Sequence, residues 1–175
     1  MTAQPHRRPA CRLRPATRDD LPGIVDIYNA SVPGRLATAD TQPITVADRE
    51  DWFVAHQKPE RPLVVAVDEH ANTALLGWAS FSNFYGRPAY NGTVELAVYV
   101  APNAQGRGIA RTLVQHLLDR APDLGVHTVL GFVFSHNQPS LNLLGGLGFT
   151  PWGELPEVAI LDGTSRGLTI VGRKV

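Results

Sequence analysis

The chain has 175 residues, 43% of them apolar, and sixteen basic residues balance sixteen acidic ones. That length suits one domain with a substantial core, since a chain of this size buries roughly two-thirds of its unfolded surface. The neutral balance argues against a nucleic-acid or anionic-membrane surface, no stretch approaches the roughly 18 apolar residues of a membrane span, and the single cysteine, Cys11, excludes an intrachain disulfide or a cysteine-based zinc site. The basic N-terminus is followed by no apolar run, so it does not read as a secretory signal, and a cytoplasmic location is expected.

Residues 1–10 read as a flexible tail and 11–175 as one domain. "CRLRPAT" alternates like a short strand. In "RDDLPGIVDIYNASV", Asp19 or Asp20 caps a helix with Leu21, Ile24, Val25 and Tyr28 at helical spacing. "PGRLATADTQPIT" is turn-rich and long enough to be a functional loop. "TVADREDWFVAHQ" predicts a second helix with Thr45 as its cap. "PLVVAVD" and "ALLGWASFSNF" read as strands joined by a turn in "DEHANT". The loop "YGRPAYNG" leads to a strand, "TVELAVYV", and then to a helix in "GRGIARTLVQHLLDRA". "VHTVLGFVF" is a further strand, "NQPSLNLLGGLGF" a short helix ending at Gly148, and "EVAILDG" and "RGLTIVGRKV" two closing strands. The order β-α-α-β-β-β-α-β-α-β-β is a mixed α/β layer in one domain.

Two places carry chemistry. In "TVELAVYV", strand alternation puts Glu95 on a face with Thr93, Ala97 and Tyr99. Burial there raises a carboxyl pKa toward neutrality, as a general base requires. The strand pattern is equally met by an edge-strand carboxylate in solvent. The second place is "NAQGRGIA", where a glycine turn opens a helix. Helix N-termini carry unpaired N–H groups and partial positive charge. Gly106 and Gly108 allow close backbone approach, Arg107 and Arg111 add charge, and the stripe Ile109, Leu113, Leu117 seats the helix. This is a pyrophosphate cradle, or else a glycine turn without a ligand. A Walker loop fails for want of its lysine, and a dinucleotide fingerprint fails because Arg111 stands where its third glycine belongs.

"QGRGIA" resembles the Gln/Arg-x-x-Gly-x-Gly/Ala signature of the GCN5-related N-acetyltransferases. "NQPSLNLLGGLGF" resembles that family's Asn-x-x-Ser…Leu-Gly-Phe segment. "LATADTQPIT", "GRPAYNGTVELAVYV" and "LGFTPWGELPEV" are similar to its phosphinothricin N-acetyltransferase subfamily, over roughly residues 12–173. The resemblance implies a single-domain GNAT fold, a mixed and mostly antiparallel sheet with helices on both faces. It implies acetyl-CoA as co-substrate, held by Val98, Tyr99, Val100, Gln105, Gly106, Arg107, Gly108, Ile109, Ala110, Arg111, Asn137 and Ser140. It places the general base on Glu95. N–H groups near Val98–Val100, freed where strands splay, are then expected to stabilise the oxyanion.

The acceptor implied is the amine of a small molecule, a phosphinothricin- or methionine-sulfoximine-like amino acid, with Tyr85, Arg87 and Tyr90 as its contacts. Arg87 is either a bidentate carboxylate grip or an exposed loop charge. Leu144 stands where many relatives place a Tyr or His acid. Ala39 replaces an aromatic, and "GTSRGLT" replaces a Gly-Arg-Trp-x-Asp-like turn. A homodimer is also implied. His56, His70, His116, His127 and His136 show no metal-ligand spacing and read as surface or packed residues, so no metal is expected. Trp52, Trp78 and Trp152 read as core or dimer contacts. The alternatives kept beside this reading are a non-catalytic acyl-CoA-binding or sensing protein and a nucleotide-binding oxidoreductase.

Overall fold

A computed structural model describes residues 11–70 and 74–175. The expected N-terminal tail, and part of the expected "DEHANT" turn, lie outside the described residues. The strands are β1 (Cys11–Pro15), β2 (Leu63–Asp68), β3 (Leu75–Asn83), β4 (Thr93–Val100), β5 (Thr128–Phe134), β6 (Thr150–Leu161) and β7 (Thr164–Lys174). The helices are α1 (Leu21–Ser31), α2 (Glu50–Ala55), α3 (Ile109–Arg120) and α4 (Gln138–Gly145). The expected order of elements holds throughout.

The strands form one sheet in the order β1-β2-β3-β4-β5-β7-β6. Only β4 and β5 pair in parallel, joined by the α3 crossover; the other neighbours are antiparallel. Registers assign the faces. Trp78, Glu95 and Tyr99 share one face, where the Trp78 indole donates to the Ile24 carbonyl of α1 at 3.1 Å. Gly77, Leu96 and Val98 share the other, where Leu113 of α3 and Leu144 of α4 pack near Gly77 and Gly131. Helices therefore cover both faces. Val65, Ala66, Val67, Ala79, Phe81, Leu113 and Leu117 are fully buried between these layers.

Local chemistry explains the helix starts. The expected acidic cap of α1 is not made: Asp20 gives α1 no side-chain cap bond and instead ends a 3₁₀ turn (Arg18–Asp20), its carboxylate accepting the Thr17 N–H at 2.7 Å and a bidentate pair from Arg14 at 2.6 and 2.8 Å. Thr45 and Asp48 form a similar reciprocal box, but the helix expected over 45–57 is a 3₁₀ turn at Ala47–Arg49 followed by the six residues of α2. The closing strands are longer than expected, 12 and 11 residues. Apolar alternation fails across "TPWGELPEV", yet register shifts at Pro151/Gly153 and Leu155/Ala159 absorb the irregular residues and let pairing continue.

The sheet and α3 meet most closely at Gly77. A Cβ there would lie 2.7 Å from the Tyr99 carbonyl oxygen and 3.3 Å from both Leu113 and the Val100 Cα. Gly77→Ala should therefore destabilise by about 1–3 kcal/mol, the usual cost of overpacking. Thermal denaturation should show a melting temperature lower by roughly 2–4 °C per kcal/mol; an unchanged melting temperature would refute this close packing.

Candidate active site

The parallel ladder between β4 and β5 covers only Thr93–Glu95 against Thr128–Leu130. Beyond Glu95, β4 continues along β3 to Val100 while β5 turns away along β7 to Phe134. The β5-facing backbone groups of β4 past this point are left without a strand partner. Glu95 is thus in a central strand, not at a sheet edge, and it stands at the fork.

A cavity of about 320 Å³ opens there, walled by Glu95, Ala97, Phe132, Phe134, Leu144 and Leu168 among others. Among the described residues, no side chain hydrogen-bonds or ion-pairs with the Glu95 carboxylate. Burial alone pushes its pKa up. Leu36, Ala37, Val98, Tyr99, Asn137, Ser140 and Leu143 are shared with a second cavity of about 1000 Å³. The two spaces are contiguous.

The larger space runs from β4 to the turn before α3. Gly106 and Gly108 hold φ of 73° and 80°, and a Cβ on either would meet nothing within 4 Å. The glycines are required by the left-handed backbone, and the space above them is open. The helix expected from Gly106 begins at Ile109, so the turn lies ahead of its first N–H groups. Val98, Tyr99, Val100, Gln105, Gly106, Arg107, Gly108, Ile109, Ala110, Arg111, Asn137 and Ser140 all line this cavity. Two of the cations also make protein contacts: Arg107 lies 3.8 Å from Asp68, and Arg111 donates to the Gly146 carbonyl at 3.2 Å.

The model of the Acetyltransferase (GNAT) family matches residues 22–149. This chain belongs to that family. YwnH of Bacillus subtilis is 45% identical over 163 residues, 93% of this chain and 98% of that protein. The L-methionine sulfoximine/L-methionine sulfone acetyltransferase of Pseudomonas aeruginosa is 35% identical over 159 residues, 91% of each chain. The solved structure of a phosphinothricin acetyltransferase from Sinorhizobium meliloti in complex with acetyl-CoA superposes with a TM-score of 0.88 at 30% identity, covering 95% of this chain and 89% of that one. The chain is thus an acetyl-CoA-dependent N-acetyltransferase of the GNAT type, in its phosphinothricin acetyltransferase-like branch.

In this GNAT chain the loop after α1 roofs the junction of the two cavities, and several elements pin it. Tyr99 donates its hydroxyl to the Ala37 carbonyl at 2.9 Å, and Tyr28 reaches Thr38 and Asp40. Burial pushes the Tyr99 hydroxyl pKa far up. Asn137 donates to the Leu36 carbonyl at 2.9 Å while its Oδ1 caps α4 at the Ser140 N–H. Arg35 makes a bidentate ion pair with Asp162 in the β6–β7 turn. The sequence marks this loop as functional but gives no sign of its anchors, because every anchor is distant in the chain. Phe132 and Phe134 were missed for a simpler reason: alternation in "VLGFVF" does not say that their face opens on a cavity.

Tyr85, Arg87 and Tyr90 line neither cavity. Tyr85 is 69% and Tyr90 43% exposed, in a cluster with Phe84, whose ring stacks 6.4 Å from Phe132. Tyr85 and Tyr90 thus lie beyond the Phe132 wall, and Arg87 is exposed in the loop between them. Trp78 is core and Trp52 packs edge-on against it, whereas Trp152 is exposed on β6. Among the described residues no group of three His, Cys, Asp or Glu is gathered for a metal, and no helix is long and apolar enough to cross a membrane.

Asn137→Ala removes a helix cap and a loop tie together. We expect a loss of about 1–2 kcal/mol and faster amide hydrogen exchange confined to the Leu36 loop and the first turn of α4. Uniform exchange across the domain would contradict this dual role.

Proposed function

We propose that this GNAT enzyme transfers acetyl directly to the amine of a small amino-acid-like molecule, with Glu95 as general base. The observation that carries this reading is the unpaired, half-buried Glu95 carboxylate in a cavity contiguous with the larger cradle. Acetyl-CoA supplies an activated thioester carbonyl. The turn at Gln105–Arg111 holds its pyrophosphate with helix N–H groups, and the β4 backbone from Val98 to Val100 holds its arm. An amine arrives mostly as ammonium, and Glu95 takes its proton directly or through a water. Unpartnered N–H groups on the parted edge of β4 face the charge that develops on the carbonyl oxygen. The cavity offers no side-chain acid at Leu144, and a thiolate leaving group needs little help. Cys11 lies on β1, separated from β4 by β2 and β3, and lines neither cavity.

The acceptor wall is largely apolar, with Leu36, Phe132, Phe134, Leu143, Leu144 and Leu168, and Thr38, Tyr99, Asn137 and Ser140 add neutral polar groups. Glu95 is its only carboxylate and no lysine, arginine or histidine lines it, so burying an unpaired second anion there is costly. Arg87, exposed in the loop before β4, is the cation this reading assigns to an α-carboxylate, as the subfamily resemblance implies. This favours neutral side chains of the methionine sulfoximine or methionine sulfone kind over the anionic phosphinate of phosphinothricin. A cytoplasmic homodimer belongs to the same reading, and Trp152, Val158 and Ile160 are exposed apolar residues on edge strand β6.

Glu95→Gln should lower kcat by about 10²–10⁴-fold while leaving acetyl-CoA affinity by calorimetry nearly intact. Unchanged turnover would remove Glu95 from the mechanism. The same substitution has a stability signature. A carboxyl whose folded pKa is raised binds a proton that the unfolded chain has released, so stability falls as pH rises from the ordinary carboxylate range through the folded value. Above that window the Gln variant should melt higher than the parent, and below it the two should converge.

A thiol-release assay should give kcat/KM at least about tenfold higher for methionine sulfone than for phosphinothricin, one uncompensated charge contact being worth that much or more. Equal values would show that a cation reaches the acceptor site.

A further inference from the structure

His56 lies at the end of α2, 6% exposed, and takes no part in the chemistry above. Its Nδ1 is 2.7 Å from the Trp52 carbonyl oxygen and its Nε2 is 2.9 Å from the Ser82 hydroxyl. A carbonyl oxygen only accepts, so Nδ1 carries the proton. In the neutral ring Nε2 is then bare, and Ser82 must be its donor. Ser82 has one hydroxyl proton, and it is committed to His56.

Ser82 is also the residue directly opposite Glu95 in the β3–β4 ladder, on the same sheet face. Cβ atoms of such pairs lie roughly 4.5–5.5 Å apart, so a serine there is well placed to donate to the carboxylate. It makes no such bond. We propose that His56 is a positioning residue for Glu95: by accepting the Ser82 proton it withholds from the carboxylate the hydroxyl that faces it across the sheet. The proposal rests on Glu95 being the base.

The consequence follows from hydrogen-bond chemistry. A donor to a carboxylate stabilises the charged form and weakens the base. With Ser82 turned away, Glu95 keeps its proton affinity although a hydroxyl is its nearest cross-strand neighbour. No charged group perturbs Glu95, whose shift comes from burial alone. Around His56 the charged group is Arg49, lying over the Trp52 and Tyr28 rings at 4.8 and 4.4 Å, and it opposes imidazolium. Burial acts the same way, while the Trp52 and Phe81 carbonyls act against it. Net, the ring stays neutral and continues to accept.

The test is the ascending limb of kcat/KM against pH, measured with saturating acetyl-CoA on the full chain. His56→Leu frees the Ser82 proton for Glu95 and should move the limb about one unit toward acid. Ser82→Ala should leave the midpoint in place, and the double variant should return it to the parent value. A purely structural role for His56 predicts lower activity with an unmoved midpoint, which would overturn the proposal. A Ser82→Ala limb displaced toward alkaline pH would also overturn it, because Ser82 would then be donating to Glu95 already. Should His56→Leu fail to fold, ¹⁵N spectra of the parent decide: a bare Nε2 near neutral pH supports the proposal and a protonated one refutes it. A limb that persists in Glu95→Gln would instead reject the general-base reading on which this rests.

Discussion

The site depends on the parting of two parallel strands. β4 and β5 share three residue pairs and then separate, one held by β3 and the other by β7. A parallel pair buried within a sheet normally continues, because unpaired backbone groups in the interior are costly. Here the separation is sustained by the antiparallel partners on either side, which keep both strands straight. It leaves backbone donors facing an opening, a carboxylate at the fork, and a passage through the sheet. The two cavities meet in that passage.

Everything around the fork either widens it or closes its top. α3 and α4 seat their N-termini on one side, with Asn137 and Ser140 in the wall. On the other side a stack of Tyr28, Tyr99, Trp78 and Trp52 supports the loop above, with ring centroids 4.8–5.4 Å apart. Tyr99 serves both purposes, since its ring belongs to the stack and its hydroxyl holds the loop carbonyl at Ala37. Such ties use groups that would otherwise be buried polar atoms without partners. The loop therefore stays on the surface yet is fastened at Arg35, Leu36, Ala37, Thr38 and Asp40.

The element order, the central glycine turn and the carboxylate strand were legible because each depends on local rules. Period-two alternation marks β4, helical spacing marks α3, and paired glycines mark a left-handed turn. Less legible was whatever depends on pairing. β6 and β7 look short because their bulges interrupt alternation, although ladder bonds carry them on. Tyr85, Arg87 and Tyr90 are acceptor contacts by resemblance, and in the fold they line neither cavity. Asn137 was expected to face the cofactor; it lines that cavity, yet both ends of its amide are engaged with protein groups.

The sequence by itself determined that a glycine turn opening a helix follows a strand bearing an acid, and that the whole is one mixed α/β layer. Those conclusions need only neighbours along the chain. Tertiary structure decided that Glu95 is central, unpaired and open to a cavity, and that Ser82 faces it while bonded to His56. Side-chain proton direction and strand parting arise between residues far apart in sequence, where register and packing, not propensity, select the partner.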